Sequence, residues 1–156
     1  MKQRINFWEK GQAAIKAMYA LGAYVSKSSI EQSLQYLIAF RVSQINACAY
    51  CLDMHSKDLL AKGESEQRLL VLDAWREAPF YSDRERAALA YAEAVTKLAN
   101  GHVPDEVFDA VQEQFTDEEI IALTISIIGI NGWNRINIAL GNDQVGSYQP
   151  GQFAAH

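Results

Sequence analysis

Asn46-Ala-Cys-Ala-Tyr-Cys-Leu-Asp-Met-His55 reads as a helix start followed by two helical turns. Asn46 is a favoured N-cap residue, and Gly63 is a favoured stop, so the segment predicts a helix over Ala47 to Lys62. On that helix Cys48, Cys51 and His55 occupy positions i, i+3 and i+7. At about 100° per residue the three directions fall within an arc of about 60°. The chain has no other cysteine.

Outward from this segment the pattern stays helical. A first helix is expected over about 8–24, with Ile15, Met18, Tyr19 and Leu21 as its apolar stripe. Ser28-x-x-Glu31 has the form of a capping box and opens a second helix, carrying Leu34, Leu37, Ile38 and Phe40 and ending near Gln44 to Asn46. Ser65 caps a fourth, with Leu69, Leu70, Leu72 and Trp75, which Pro79 ends. Ser82-x-x-Glu85 opens a fifth that runs to Leu98. Pro104 is expected as the first residue of a sixth ending near Phe115. Thr116-x-x-Glu119 opens a long apolar helix that ends near Gly141. No segment alternates with period two, and the Asn-Gly at 131–132 lies inside a helical pattern, where it is a weak turn signal. The fold class is therefore all-α, a single domain of about six to seven helices. Residues 1–141 form that domain. Residues 142–156, rich in Gly, Pro and Ser, form a tail that is either a mobile end or an arm laid on a neighbouring subunit.

The 156 residues suffice to bury a core. With 49% apolar and 21% charged residues the composition is that of a soluble globular protein. A net charge of −5, without a basic stripe, gives no reason to expect nucleic acid as a partner. The most apolar run, Ile120 to Ile130, is too short to cross a bilayer, so no membrane partner is expected. Met1 to Glu9 lacks the apolar centre of a secretory signal, which makes the expected compartment cytoplasmic. In that compartment a CxxC pair is catalytic or metal-binding more often than a structural staple.

Cα atoms three residues apart on a helix lie about 5 Å from each other, inside the disulfide window. Cys48, near the capped helix start, gains from the positive end of the dipole. Cys51 gains from His55 four residues on, whose imidazolium would favour a thiolate. Dipole placement favours Cys48 as the attacking thiol, and proximity to the imidazole favours Cys51. A lowered pKa alone does little for rate. Moving a thiol from about 8.5 to about 6.5 raises its thiolate fraction near neutral pH about twelve-fold but cuts nucleophilicity about eight-fold. A positioned acid, contributing about 10²–10⁴-fold, is needed to protonate a leaving alkoxide, and His55 is the histidine on this helix. Two other readings compete. The cysteines can be small core residues with His55 a polar neighbour. A zinc site is the other, but it needs a fourth ligand, and the remaining histidines are His102 in a loop and His156 at the end of the chain.

Arg41-Val-Ser-Gln-Ile-Asn-Ala-Cys-Ala-Tyr-Cys-Leu-Asp-Met-His-Ser-Lys-Asp58 resembles the signature of the alkyl hydroperoxidase D-like (AhpD-like) family of the carboxymuconolactone decarboxylase superfamily. The resemblance continues through Gly63-Glu64, Trp75-Arg-Glu-Ala-Pro-Phe-Tyr81, Asp83-Arg-Glu-Arg-Ala-Ala-Leu89 and Ile130-Asn-Gly-Trp-Asn-Arg135, and covers roughly residues 30–140. It implies an AhpD-like helical bundle, a homo-oligomer (a trimer or a hexamer built from trimers) and a thiol peroxidase that reduces small-molecule hydroperoxides and is recycled by a thiol reductant. Cys48 and Cys51 place the chain on the peroxidase side, because the decarboxylase branch typically lacks the pair. The resemblance also implies a proton relay with a glutamate twelve residues before the first cysteine. Tyr36 stands there, a phenol that is a poor base at neutral pH but can donate a hydrogen bond or pass a proton through water.

The expected chemistry is a CxxC dithiol–disulfide cycle with catalytic residues Cys48, Cys51, His55 and Tyr36, requiring no metal or organic cofactor. Two alternatives are a lyase or isomerase with His55 as general base, and a non-catalytic oligomeric redox sensor. Trp133, Asn134 and Arg135 are expected in packing or subunit contacts, Arg41 in an ion pair at such a contact, Asp53 and Asp58 on solvated helix faces, and Ser43 and Gln44 near the end of the second helix.

Overall fold

The computed structural model describes residues 2–152. Among them the chain forms eight α-helices and no strand. These are α1 (Phe7–Lys10), α2 (Gln12–Val25), α3 (Gln32–Ile45), α4 (Ala49–Ala61), α5 (Glu66–Leu70), α6 (Asp83–Lys97), α7 (Asp105–Gln112) and α8 (Asp117–Leu140). Short 3-10 turns lie at Leu72–Ala74 and Ala99–Gly101.

The all-helical reading holds, and the departures have local causes. The first expected helix is split at Gly11, where a Cβ would lie 2.7 Å from the Phe7 ring. The Ser28 capping box does not form: Ser28 Oγ donates to the Val25 carbonyl at 2.6 Å and closes α2 instead, leaving Glu31 to precede α3. The boxes at Ser82 and Thr116 both form, each with the reciprocal glutamate contact. Pro104 caps α7 from just outside it. The fourth helix is interrupted after Leu70 and continues as a 3-10 turn. In a 3-10 turn residues three apart eclipse one another, and here Leu69, Leu72 and Trp75 are all buried in one cluster.

α3 lies at the centre, packed against α4, α6 and α8, and α2 packs on α8. Ala39, Phe40, Val42 and Ser43 are buried in succession, as in a helix enclosed on all sides. Leu34, Ile38 and Val42 meet Ala88 and Ala92 of α6 and Leu123 and Ile127 of α8 in one core cluster. Gly132 lies within α8, not in a turn. A Cβ there would stand 2.7 Å from Met18 Cε, so the glycine lets α2 approach.

Arg41 is buried and finds its ion pairs inside the chain, where sequence suggested an acid at a subunit contact. Its guanidinium meets Glu93 Oε1 at 2.8 Å and also Asp73. Glu93 further accepts from Trp75 Nε1 at 2.9 Å and Arg76 at 3.0 Å. These donors hold its carboxyl below the usual range even though burial alone would raise it.

The tail lies on α4 of its own chain, in place of the mobile or intermolecular arm expected. Tyr148 is buried, and its hydroxyl donates to both Asp58 oxygens at 2.9 Å. Gly146 N–H donates to Asp53 Oδ2 and Gly151 N–H to Asp58 Oδ1. Asp53 and Asp58 are thus anchors for the tail and not solvated faces. His156 and the last residues of the tail lie outside the described residues.

Candidate active site

α3 and α4 meet at a tight corner that carries the first cysteine. Asn46 does not cap α4. It ends α3, and its Nδ2 donates to Asn131 Oδ1 at 3.0 Å and Asn134 Oδ1 at 2.9 Å on α8. Ala47 follows in the left-handed region (φ 54°) and reverses the chain. Cys48 then occupies the N-cap position of α4: its N–H donates to the Ser43 carbonyl at 3.1 Å, and its carbonyl accepts from Leu52 at 2.9 Å. Ser43 is buried and hydrogen-bonded to Ala39 and Asn134, so it secures the corner. Cys51 is the third residue of α4, and both sulfurs therefore lie at the positive end of the helix.

Cys48 and Cys51 are joined as a disulfide, with Cα atoms 5.4 Å apart. Both are only 1% exposed. They differ in what they face. Cys51 lines a cavity of about 250 Å³ between α2, α3, α4 and α8, whereas Cys48 is not part of its wall. The wall is mostly apolar and aromatic, with Tyr19, Tyr36, Trp133 and Ile130 among its members. Among the described residues no Lys, Arg, Asp or Glu lines it.

His55, one turn beyond Cys51, lines the same cavity. It is 8% exposed, and neither ring nitrogen has a hydrogen-bond partner among the described residues. Burial pushes its pKa down from 6.5 to about 4, with Asp58 opposing the shift. The imidazole of the oxidised protein is therefore neutral near pH 7. The imidazolium expected from sequence is not its resting form. Tyr36 stands across from it, the ring centroids 6.3 Å apart. Burial, then Asp58, raises the Tyr36 pKa, so the phenol keeps its proton.

A second, more polar chamber of about 580 Å³ lies on the other side of His55 and Tyr36. Asp58, Lys62 and Tyr148 contribute to it. His55, Tyr36, Gln35 and Met54 belong to both walls.

Asn137 on α8 was not singled out in the sequence. Its Nδ2 donates to Cys51 Sγ at 3.7 Å. Its spacing from Asn131 and Asn134, three residues each, was the available signal: all three lie on the side of α8 that meets the α3–α4 corner. Trp133 stacks with Trp8 and contributes to the cavity wall, and Asn134 is buried in the corner network. No group of three or more His, Cys, Asp or Glu side chains is placed to hold a metal among the described residues.

The chain matches the family model of the carboxymuconolactone decarboxylase family over residues 11–94. It belongs to that family. It is 43% identical to the uncharacterized protein YdfG of Bacillus subtilis (strain 168), over 91% of this chain and 97% of YdfG. A crystal structure from Agrobacterium tumefaciens, of a protein of unknown function proposed to be the antioxidant defence protein AhpD, superposes with a TM-score of 0.85 at 42% identity. That match covers 96% of this chain and 99% of the other, and gives the fold as AhpD-like. The debrominase Bmp8 shares the fold at 24% identity and a TM-score of 0.75, over 86% of this chain and 73% of Bmp8.

Proposed function

We propose that the protein is a thiol peroxidase that reduces organic hydroperoxides through Cys51 and Cys48. The observation that carries this reading is the placement of Cys51, bridged to Cys48, in one apolar cavity with a neutral imidazole that has no hydrogen-bond partner among the described residues. Cys51 is the attacking sulfur, because it lines the cavity and Cys48 does not.

In the reduced protein His55 accepts the Cys51 thiol proton. The thiolate attacks the peroxide O–O bond, and the S–O bond forms as the alkoxide leaves. The imidazolium returns its proton to that alkoxide, giving the alcohol and a Cys51 sulfenic acid. The Cys48 thiol then displaces water from the sulfenic acid, forming the disulfide. Two thiols, or one dithiol, from an external reductant restore the pair. Tyr36 makes no hydrogen bond with His55 among the described residues, so its part in the relay would run through water or substrate. This reading includes a homo-oligomer, a trimer or a hexamer, for which exposed Ile121 and Ile128 on α8 supply apolar surface.

The test is to mix reduced protein with cumene hydroperoxide and count free thiols. Two thiols lost per chain is the expected result, with none lost in Cys48→Ser/Cys51→Ser. Thiol loss no faster than air oxidation would falsify the assignment. Turnover of a carboxylated lactone that survives loss of both cysteines but not of His55 would move the protein to the lyase reading.

A further inference from the structure

A thiolate at Cys51 would be formed in a cavity whose wall carries no Lys or Arg among the described residues, so its one counter-charge is the imidazolium made when His55 takes the thiol proton, and that charge is given up to the leaving alkoxide. The titratable groups sharing that cavity are His55 and Tyr50 of α4, Tyr36 of α3 and Tyr19 of α2, and α8 brings none. Further along α4, the Asp53 and Asp58 carboxyls accept hydrogen bonds from the tail and offer the sulfur no donor. Burial disfavours the anion, so beside that transient imidazolium it relies on the helix start and on hydrogen-bond donors.

We propose that Asn137 is a further catalytic residue, the neutral donor that holds the Cys51 thiolate, and that Asn142 is the positioning residue that aims it. Asn137 Nδ2 reaches Cys51 Sγ at 3.7 Å and also donates to the Trp133 carbonyl at 2.9 Å. Asn137 Oδ1 accepts from Asn142 Nδ2 at 2.7 Å. These two outer contacts set the amide's orientation. Turning it over would point an oxygen at the sulfur and at the Trp133 carbonyl, and a nitrogen at the Asn142 amide nitrogen. With Asn142 in place, these contacts turn the donor toward Cys51. A neutral donor suits this role. It stabilises the anion without a counter-charge that would persist once the disulfide has formed. A hydrogen bond to a charged acceptor is worth about tenfold in the ionisation equilibrium.

The inference rests on the reading that Cys51 is the reactive thiol, and the test separates the two. In the reduced Cys48→Ser protein the Cys51 thiolate is titrated by its absorbance at 240 nm, with peroxide consumption by the corresponding Cys48-containing proteins measured separately. Asn137→Ala is expected to lower the thiolate fraction at pH 7 about tenfold. Asn137→Asp, which puts an anion beside the sulfur, lowers it further. Asn142→Ala shifts it the same way by a smaller factor, and decides the matter should Asn137→Ala fail to fold. A purely structural role for Asn137 would leave the titration midpoint in place. Less than a twofold change in both alanine variants, or in Asn142→Ala alone if only that one folds, overturns the inference, whether or not peroxide is consumed. A shifted midpoint in a protein that consumes no peroxide sinks the peroxidase reading and leaves the Asn137 assignment standing.

Discussion

Acidification is expected to destabilise the oxidised protein through one side chain. His55 titrates near 6.5 when exposed to water and near 4 when buried in the fold. Between those values the unfolded chain binds a proton that the folded chain refuses, so stability rises with pH across this window and is lost as pH falls through it. The linkage expression gives a loss of about 2 kcal/mol between pH 8 and pH 5, and about 3 kcal/mol when the window is fully crossed. For a chain of this size that first loss lowers the melting temperature by about 4–8 °C. Glu93 and Glu119 do not interfere. Their carboxyls are held below the usual 4.5, so the stability they contribute is lost only at lower pH. Urea unfolding of the oxidised protein at pH 8 and pH 5, beside the neutral replacement His55→Gln, isolates the effect. The wild type should lose about 2 kcal/mol more than the variant over this interval. Parallel pH profiles for the two proteins would refute the argument that the imidazole is excluded from water and held neutral.

Other substitutions probe the surroundings. Arg41→Met leaves the buried Glu93 carboxylate without its main cation, and should cost about 3–5 kcal/mol in urea unfolding. Ala47→Gly relieves a left-handed backbone at an L residue and should stabilise by about 1 kcal/mol in the same assay, with a destabilised variant counting against the strain. Tyr148→Phe removes the hydroxyl shared by the two Asp58 oxygens, and should cost about 1–3 kcal/mol and speed proteolysis within the tail. An unchanged cleavage rate would mean that this contact does not hold the tail on α4.

Local chemistry made the helices legible. The Ser82 and Thr116 boxes act over a few residues and formed as the sequence indicates, and the two cysteines are close enough to bridge, although Cys48 stands at the N-cap of α4 and not within the helix beside Cys51 and His55. The errors arose where a side chain had a distant partner to choose. Asn46 was expected to cap α4 but binds Asn131 and Asn134, more than eighty residues away. Asp53 and Asp58 looked solvated because the tail that covers them follows some ninety residues later. Arg41 found Glu93 and Asp73 within its own chain, where a subunit contact was expected. Asn137 was legible only through its three-residue spacing from Asn131 and Asn134, because an amide on a buried helix, taken alone, resembles any other polar core residue until the opposing sulfur is known. The neutrality of His55 was hidden for the same reason: it depends on what surrounds the ring, and periodicity does not report that.

The corner at Ala47 limits how the sulfur pair can respond to gaining or losing electrons. Cys48 is clamped at both backbone atoms, to Ser43 and to Leu52, and the preceding Asn46 is tethered to α8. Opening and closing the S–S bond must then be accomplished mainly by rotation about the two Cα–Cβ bonds. A rearrangement that small would leave the start of α4 in the same place whether the two sulfurs are bonded or free.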